Sequence, residues 1–466
     1  MILFLGLLAM TSRNAVDPDL WWHLRTGELI VQSGHIPHTD PFSFTRAGQS
    51  WISHEWLSEV IFYELWKWTG AGGLIIFSGL ITTTGFMLLY LRCAAKPAGA
   101  AAAVVLGALA AAPAWGVRPQ MFTFALASVT LWLLDKGENR PLYLFAMLPT
   151  FLLWLNLHAG FALGPALLLL WAAGLLWEAA SGESAWATVR PYLFRILAVF
   201  LVCMALVPLN PSGAHLYRYP FEVLQSSVMR SFILEWFPPD FHQLRYVPMM
   251  LIWLALLVAL ADARSRPKAR VLAPLLMTLI AAIDAVRHIP ILVLLAGPVL
   301  AGALPVSSTA KEVGPSRAQF PLLFRGAVLV LMAVFTATRW DSLVRKQSKT
   351  EAEAFPFQAV SFLHAHPSPG PLFAYYDWGG YAIWKLYPDY RVIVDGRADL
   401  YGDDLLHRFQ QVVQVKAGWR QVLDSWGVKS ILIPTSSPLR HALALDSGWH
   451  LEHEDAMAVV YERGSR

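Results

Sequence analysis

Residues 72–91 read GGLIIFSGLITTTGFMLLYL, a run of twenty residues without a charged side chain. A helix of about 20 apolar residues is long enough to cross the ~30 Å hydrocarbon core of a bilayer. The whole chain of 466 residues extends this signal, because 56% of its residues are hydrophobic and only 15% are charged. Soluble domains carry about 25% charged residues. We therefore predict an integral membrane protein and exclude an ordinary soluble enzyme, a disordered chain and a disulfide-rich scaffold.

Eleven apolar stretches predict an α-helical multi-span membrane domain. Several of them contain only about 14 residues, which suits helices that end early at a cavity. The first stretch is too short to cross a bilayer, so we expect a frayed first helix or a reading frame that starts late. The predicted spans are Ile2–Met10, Gly72–Leu91, Ala98–Ala114, Gln120–Leu134, Leu142–Leu155, Gly160–Trp177, Pro191–Val207, Val247–Leu260, Val271–Ile283, Pro290–Leu304 and Phe320–Ala337.

The composition changes after residue 338. Of the last 128 residues 29 are charged, against 39 of the first 338. Short β-rich runs alternate there with helical patterns, which predicts a small C-terminal α/β soluble domain with a partly parallel sheet. The β-rich runs are Leu372–Tyr375, Tyr390–Val394, Ser430–Ile433 and Ala456–Tyr461. We expect a transmembrane domain over residues 1–338, with a long loop over 11–70, and the soluble domain over 339–466.

The lysines and arginines of the short loops indicate the orientation in the membrane. Twelve of them lie in alternate loops, and by the positive-inside rule these loops are cytoplasmic. The N-terminus is then cytoplasmic, and the loop over 11–70 and the C-terminal domain are extracytoplasmic. The net charge of +4 is too small to indicate a nucleic-acid partner. The twelve residues are Arg92, Lys96, Lys136, Arg140, Arg190, Arg264, Arg266, Lys268, Arg270, Lys311, Arg317 and Arg325.

The long first loop contains the strongest chemical signal. Residues 17–25 read Asp-Pro-Asp-Leu-Trp-Trp-His-Leu-Arg, which places two carboxylates beside the membrane. A carboxylate there can act as a general base toward an acceptor hydroxyl, or two can hold Mg²⁺ or Mn²⁺ near a phosphate leaving group. The alternative is structural: Asp17 caps a helix over Leu20–Ile30, and Asp19 adds negative charge to its first turn.

The run from Asp19 to Arg25 resembles the first external loop of oligosaccharyltransferase catalytic subunits. Those loops have an Asp, an aromatic pair two and three residues later, a His or Asn, and an Arg six residues after the Asp. Asp40-Pro41-Phe42 is similar to their second, downstream Asp-Pro-aromatic motif. The wider group is the GT-C superfamily of polyprenyl-phosphate-dependent glycosyltransferases, which have many transmembrane helices and a catalytic carboxylate in a long first external loop. The resemblance implies that Asp19 is the catalytic carboxylate and Asp17 its partner or a metal ligand.

A second resemblance lies in the C-terminal domain. Residues 375–381 read Tyr-Tyr-Asp-Trp-Gly-Gly-Tyr, which is similar to the aromatic–aromatic–Asp–Tyr–Gly acceptor-recognition motif of the same enzymes. It implies that Tyr376, Asp377 and Trp378 bind substrate, although Trp378 stands where a Tyr is expected. The alternative is a glycine-rich turn between a strand and a helix over Tyr381–Tyr387. The family's second acidic pair is absent, because the short loop 115–120 contains Arg118 and no acid.

Other polar residues near the ends of the spans are candidates for the site. Arg118 and Arg287, with His288 beside Arg287, are arranged to clamp the phosphate of a lipid donor, or else they snorkel to the interface or form a structural ion pair. His158 is a candidate metal ligand or phosphate donor. His54 and Glu55 either line the acceptor side or fix the loop.

Two further segments leave alternatives open. Asp395 and Arg397 follow a predicted strand, where they either bind a ligand or form a buried ion pair. The aromatic-rich and proline-rich segment 217–240 either covers a substrate groove or packs against the C-terminal domain. The sequence contains no GxGxxG, P-loop or CxxC pattern, so nothing in it supports a dinucleotide, Walker-type ATP use or structural zinc.

We expect a GT-C-type enzyme that transfers a sugar from a polyprenyl-phosphate donor to a glycan, lipid or protein acceptor on the extracytoplasmic face, with Mg²⁺ or Mn²⁺ as the candidate metal. In this hypothesis Asp19, Arg118 and Arg287 converge on one cavity. One alternative is a transporter or flippase of lipid-linked sugars, which predicts charged residues inside the spans in both leaflets. The other is a non-catalytic scaffold with an external binding domain, which predicts that residues 17–25 tolerate substitution.

Overall fold

The computed structural model describes residues 1–93, 97–262, 266–303, 319–368 and 370–464. The predicted span end Leu304 and the basic residues Lys96, Arg264, Lys311 and Arg317 lie outside the described residues. The described helices are α1 (Ile2–Thr11), α2 (Leu20–Ser33), α3 (Trp56–Arg92), α4 (Pro97–Ala111), α5 (Gln120–Gly137), α6 (Leu142–Phe145), α7 (Met147–Leu157), α8 (Leu163–Ala180), α9 (Trp186–Leu206), α10 (Tyr219–Gln225), α11 (Ser227–Phe232), α12 (Val247–Ala261), α13 (Ala269–Asp284), α14 (Ile289–Ala303), α15 (Gln319–Ala354), α16 (Phe357–Ala365), α17 (Tyr376–Leu386), α18 (Ala398–Val413), α19 (Trp419–Ser425) and α20 (Pro438–Ala444).

Over the described residues, every predicted apolar stretch coincides with helix, so the helical multi-span prediction is confirmed. The predicted number of eleven spans stays a prediction. In the described part of the chain, seven helical segments are long and apolar enough to cross a membrane. α1 and the segment Leu142–Leu157 are shorter apolar helices. The seven segments are Trp56–Arg92, Pro97–Ala114, Ala159–Ala180, Trp186–Leu209, Leu244–Ala261, Val286–Ala303 and Leu322–Ala354.

The chain forms two compact units, each built from three segments. The membrane unit contains Met1–Arg13, Ile75–Asn210 and Ile233–Val344. The sheet unit contains Asn14–Leu74, Pro211–Phe232 and Arg345–Arg466. Most of the long first loop therefore folds together with the C-terminal residues. The predicted change from membrane to soluble domain at residues 338 and 339 remains a prediction.

The sheet unit contains a five-stranded sheet in the order β2-β1-β3-β5-β4. β1 runs parallel to both β2 and β3, and β5 runs antiparallel to β3 and β4, so the predicted α/β domain with a partly parallel sheet is confirmed. β4 has no counterpart among the predicted strands, because it is an edge strand with charged and exposed side chains. The strands are β1 (Gly370–Ala374), β2 (Tyr390–Val392), β3 (Ser430–Pro434), β4 (Trp449–Glu454) and β5 (Ala458–Arg463).

The first loop also takes part in this sheet. The Phe44 N–H donates to the Val392 carbonyl over 2.8 Å, and the Val392 N–H donates to the Phe42 carbonyl over 3.3 Å. These bonds satisfy the outer edge of β2, which would otherwise expose unpaired backbone groups. The predicted helix over Leu20–Ile30 is α2, which packs against α17. The sheet therefore positions the loop that contains Asp17 and Asp19.

One alternative for the Tyr375–Tyr381 motif is wrong. Helix α17 begins at Tyr376 rather than at Tyr381, so the motif forms the first turns of the helix and not a glycine-rich turn. Gly380 is needed there for packing, because a Cβ at this position would lie 2.7 Å from the Pro18 carbonyl oxygen. The glycine lets α17 lie directly against the segment that contains Asp17 and Asp19.

Candidate functional site

The two carboxylates before α2 have different roles in the local structure. Asp17 Oδ1 accepts the backbone N–H of Asp19 over 3.0 Å, which fixes the turn that leads into the helix. Asp19 precedes the helix directly, yet its carboxylate makes no capping hydrogen bond. Asp19 Oδ1 instead accepts the indole N–H of Trp22 over 3.2 Å. The structural alternative therefore remains open: Asp17 fixes the turn before the helix, and Asp19 stands at the N-terminus of α2, where its negative charge is favourable even without a capping hydrogen bond.

The Asp19 carboxylate lies against the turn that follows β2. A Cβ at Gly396 would overlap Asp19 Oδ1 and would lie 3.2 Å from the Trp22 indole nitrogen. The charge of this carboxylate also acts on Tyr376 of α17. Burial, and after it the charges of Asp19 and Asp395, raise the pKa of the Tyr376 hydroxyl well above its ordinary value. Tyr376 therefore remains a neutral phenol beside Asp19.

The other two residues of the α17 motif differ in exposure. The Asp377 residue is exposed overall, but its carboxylate is partly shielded from water, and this desolvation together with the charge of Asp17 raises its pKa. Trp378 is 6% exposed and packs edge-on against Tyr375, with ring centroids 5.5 Å apart. The motif thus presents Tyr376 and Asp377 near the first loop, whereas Trp378 belongs mainly to the core.

Asp395 and Arg397 form the buried ion pair that the sequence left as one alternative. Arg397 Nε donates to Asp395 Oδ1 over 2.8 Å, and Arg397 Nη2 donates to Asp395 Oδ2 over 2.6 Å. A third partner comes from the first loop, because Arg397 Nη1 donates to Asp40 Oδ1 over 2.8 Å. Tyr401 also donates to Asp395 over 2.5 Å. This network fixes the Gly396 backbone against which Asp19 packs.

A cluster of imidazoles and carboxylates lies beside α2. His23 Nδ1 is 3.4 Å from Glu59 Oε1, and His23 Nε2 is 3.8 Å from Glu55 Oε2. Burial alone lowers the pKa of His23, but the hydrogen bond with Glu59 and the charges of Glu55, Glu59 and Asp19 raise it overall. His54 Nε2 lies 3.6 Å from Glu55 Oε1, so the predicted pair His54 and Glu55 belongs to this cluster.

His23 and Glu59 were not among the predicted site residues. Both are buried, with His23 only 3% exposed. The spacing of these residues in the sequence could have identified them, because side chains four residues apart lie on the same face of a helix. His23 follows Asp19 by four residues, and Glu59 follows Glu55 by four at the start of α3.

In the membrane unit, Arg118 and Arg287 share one carboxylate. Arg118 binds Glu235 Oε2, and Arg287 Nη1 lies 3.2 Å from Glu235 Oε1. Burial alone raises the pKa of Glu235, but the charges of Arg118 and Arg287 and the hydrogen bond from Arg118 lower it to about 2. The ion-pair alternative for the two arginines is therefore present in the structure. Because two arginines share the single carboxylate of Glu235, the three side chains together carry a net positive charge.

The two arginines also line a cavity of the membrane unit, together with Trp115, Gln120 and Thr123. Arg287 stacks over Trp236, with the guanidinium carbon 4.3 Å from the ring centroid. The predicted neighbour His288 makes a 3.0 Å hydrogen-bond contact between its Nδ1 and the Ala281 carbonyl oxygen.

The predicted metal ligands do not form one group of three. His158 Nδ1 accepts the Gly160 N–H over 2.9 Å and lies 2.7 Å from Thr123 Oγ1. His158 belongs to the membrane unit, and Asp17 and Asp19 belong to the sheet unit. Among the residues that the structure describes, no three His, Cys, Asp or Glu side chains are placed to hold a metal ion.

No family model and no curated protein matches this sequence. Solved structures match its fold. The archaeal oligosaccharyltransferase AglB from Archaeoglobus fulgidus, in complex with an inhibitory peptide and a dolichol-phosphate, matches 92% of this chain and 69% of its own, with a TM-score of 0.55 and 10% identity. ArnT from Cupriavidus metallidurans, bound to undecaprenyl phosphate, matches 99% of this chain and 96% of its own, with a TM-score of 0.50 and 16% identity.

A third structure, the Archaeoglobus fulgidus oligosaccharyltransferase in complex with Zn and sulfate, matches 93% of this chain and 68% of its own, with a TM-score of 0.52 and 12% identity. Identities this low establish similarity of fold and leave the chemistry open. The chain has the fold of the GT-C glycosyltransferases, as the first-loop resemblance implied.

Proposed function

We propose that this chain, which has the GT-C fold, is an integral membrane glycosyltransferase. It transfers a sugar from a polyprenyl-phosphate donor to a glycan, lipid or protein acceptor. The lysine and arginine distribution supports a cytoplasmic N-terminus and transfer on the extracytoplasmic face.

The observation that carries the proposal is the position of the Asp19 carboxylate. It is oriented by the Trp22 indole and held against Gly396, and it is not used to cap its own helix. A carboxylate fixed in this way can accept the proton of the acceptor as the acceptor atom attacks the anomeric carbon. The new bond forms at that carbon while its bond to the phosphate oxygen breaks. The lipid phosphate leaves with the electron pair, and Asp19 retains the proton.

Arg118 and Arg287 are proposed to stabilise the leaving phosphate. Guanidinium groups bind phosphate oxygens with paired, charge-assisted hydrogen bonds, and negative charge increases on these oxygens as the sugar leaves. The two arginines bind the two oxygens of one carboxylate, that of Glu235, and this supports the proposal that they can also bind a small oxyanion such as phosphate. A phosphate that binds there shares the arginines with Glu235 or displaces its carboxylate.

The acceptor is proposed to bind near α17 and the first loop, where Tyr376, Asp377, His54 and Glu55 supply polar contacts. Asp17 keeps the turn before α2 in place through its bond to the Asp19 N–H. Mg²⁺ can bind through one or two protein carboxylates when phosphates and waters complete its shell, and we propose that Asp17 and Asp19 would hold a magnesium or manganese ion in this way. Such an ion would supply further charge neutralisation of the phosphate.

The test is the Asp19→Asn variant, because asparagine keeps the size of the side chain and its acceptor oxygen for Trp22 but cannot take a proton. Transfer from a panel of short-chain polyprenyl-phosphate hexoses and pentoses should fall by about 10²–10⁴-fold, the usual contribution of a general base. Insertion and thermal unfolding should match those of the wild type. Asp404→Asn, at an exposed position of α18, is the matched control and should retain activity. Full transfer by Asp19→Asn would remove Asp19 from the mechanism.

A further inference from the structure

Two buried donors without acceptors lie side by side in the membrane unit. Arg13 follows α1, and its Nε is buried without a hydrogen-bond partner among the described residues. The indole Nε1 of Trp115 is likewise buried without a hydrogen-bond partner among the described residues. The guanidinium carbon of Arg13 is 6.0 Å from the Trp115 ring centroid. Because buried donors are nearly always satisfied in folded proteins, two orphans together require an explanation.

A second arginine adds to the cost of this arrangement. The Trp340 indole donates to Ser12 Oγ over 2.8 Å, which brings their neighbours Arg339 and Arg13 together. Burial, and after it the positive charge of Arg339, lowers the pKa of Arg13. No described carboxylate forms an ion pair with Arg13 or Arg339. A partly buried cation beside a like charge is destabilising unless an anion compensates it.

The chemistry of these groups selects the kind of ligand. Guanidinium and indole N–H groups can only donate, so their partner must be an acceptor, and two positive charges favour an anion. The arginines of the other cluster differ, because Arg118 and Arg287 already have the Glu235 carboxylate. The two clusters therefore differ in their partners, and Trp115 borders both, because it also lines the cavity that Arg118 and Arg287 line.

We propose that Arg13, Arg339 and Trp115 form a binding site for the phosphate group of a membrane lipid, separate from the cluster of Arg118, Glu235 and Arg287. A lipid rather than free phosphate is the natural source, because Arg13 lies two residues after the end of the apolar helix α1 and Arg339 lies on the long helix α15. This lipid site does not depend on the proposed function, because the same residues would bind the lipid whether or not the chain transfers a sugar.

The experiment measures thermal unfolding of the purified full chain in detergent. Its additives are short-chain phosphatidic acid, short-chain phosphatidylcholine and inorganic phosphate, all at matched ionic strength. Phosphatidic acid should raise the unfolding temperature of the wild type by at least about 2 °C at saturation, because a ligand that binds only the folded state stabilises it. Inorganic phosphate should act only at much higher concentration. Equal potency of inorganic phosphate would overturn the assignment to a lipid.

The variant Arg13→Gln distinguishes a ligand-binding role of Arg13 from a purely structural one. Without phosphate it should unfold at the same or a higher temperature than the wild type, because an uncompensated charge is removed. With phosphatidic acid it should lose the stabilisation. Arg13→Met repeats the test with an apolar side chain, and Arg230→Gln, at an exposed position of α11, is the control that keeps the full shift. An unchanged shift in both Arg13 variants would refute the site.

Two further variants separate this inference from the proposed function. In the Arg118→Gln variant, phosphatidic acid should still raise the unfolding temperature by the amount that depends on Arg13. A complete loss of this stabilisation in Arg118→Gln would mean that only one anion site exists. Asp19→Asn should retain the whole shift. A wild type that is stabilised through Arg13 but transfers no sugar would contradict the proposed function alone.

Discussion

Gly396 has no side chain at the point where the Asp19 carboxylate lies. A Cβ at this position would overlap Asp19 Oδ1 and approach the indole nitrogen of Trp22. Residue 396 belongs to the turn held by the Asp395–Arg397 ion pair, so a rigid part of the C-terminal chain sets the position of a carboxylate near the N-terminus.

We predict that Gly396→Ala displaces the Asp19 carboxylate and lowers transfer by about 10²-fold or more, since small errors in the placement of a reacting group are costly. The unfolding temperature should change little, because the overlapping atom is the end of a side chain that can move. Activity and thermal unfolding of the same preparation provide the measurement.

The matched control is Gly326→Ala, because a Cβ at Gly326 meets nothing within 4 Å. It should retain full transfer. If Gly396→Ala were as active as this control, the position of Asp19 would not matter for transfer.

Arg397→Ala should destabilise the chain strongly, by about 3–5 kcal/mol, because it leaves buried carboxylates without their cation. Asp395 is fully buried and Asp40 is 3% exposed, so neither can turn to water. Chemical denaturation monitored by circular dichroism is the measurement. Arg420→Ala removes a surface ion pair with Asp446 and should cost less than about 1 kcal/mol. Equal costs for the two variants would show that the buried network contributes no more than a surface pair.

Much of the fold could be predicted because its signals are local. Long apolar runs predicted the apolar helices, and alternating β-rich and helical patterns predicted the partly parallel sheet, whereas the domain boundary at residues 338 and 339 stays a prediction. The pairing of Asp395 with Arg397 was foreseen as one alternative, since the two residues are adjacent in a short turn. β4 was missed, because an edge strand with alternating charged residues has no apolar pattern.

The candidate site could be predicted only in part, because its geometry depends on contacts between distant parts of the chain. Nothing in the local sequence indicates that Asp40 binds Arg397, that Glu235 binds both Arg118 and Arg287, or that Gly396 lies against Asp19. The convergence of Asp19, Arg118 and Arg287 on one cavity stays a prediction.

The ion pairs of Glu235 should be independent of pH over the usual working range. The pKa of Glu235 is lowered to about 2, so its stabilisation is fully present above the ordinary carboxyl pKa of about 4.5 and is lost progressively as the pH falls from there through about 2. Glu235→Gln should therefore destabilise the chain by the same amount at pH 5 and pH 8. Denaturation at both values measures this difference. Glu183→Gln, at an exposed position of the same unit, is the control and should have little effect. A cost that appears only at pH 8 would mean that Glu235 titrates near neutrality.

His23 should make the chain less stable as the pH rises above neutrality. Its pKa is raised by Glu59, Glu55 and Asp19 despite burial. The stabilisation is then fully present below the unfolded value of about 6.5 and is lost as the pH rises through the folded value. Between pH 6 and pH 9 the wild type should lose more unfolding free energy than His23→Gln, which can still donate a hydrogen bond but does not titrate. His35→Gln removes an exposed histidine and should behave as the wild type does. If His23→Gln followed the wild-type pH profile, His23 would be neutral in the folded chain, and its contacts with Glu55 and Glu59 would be ordinary hydrogen bonds rather than ion pairs.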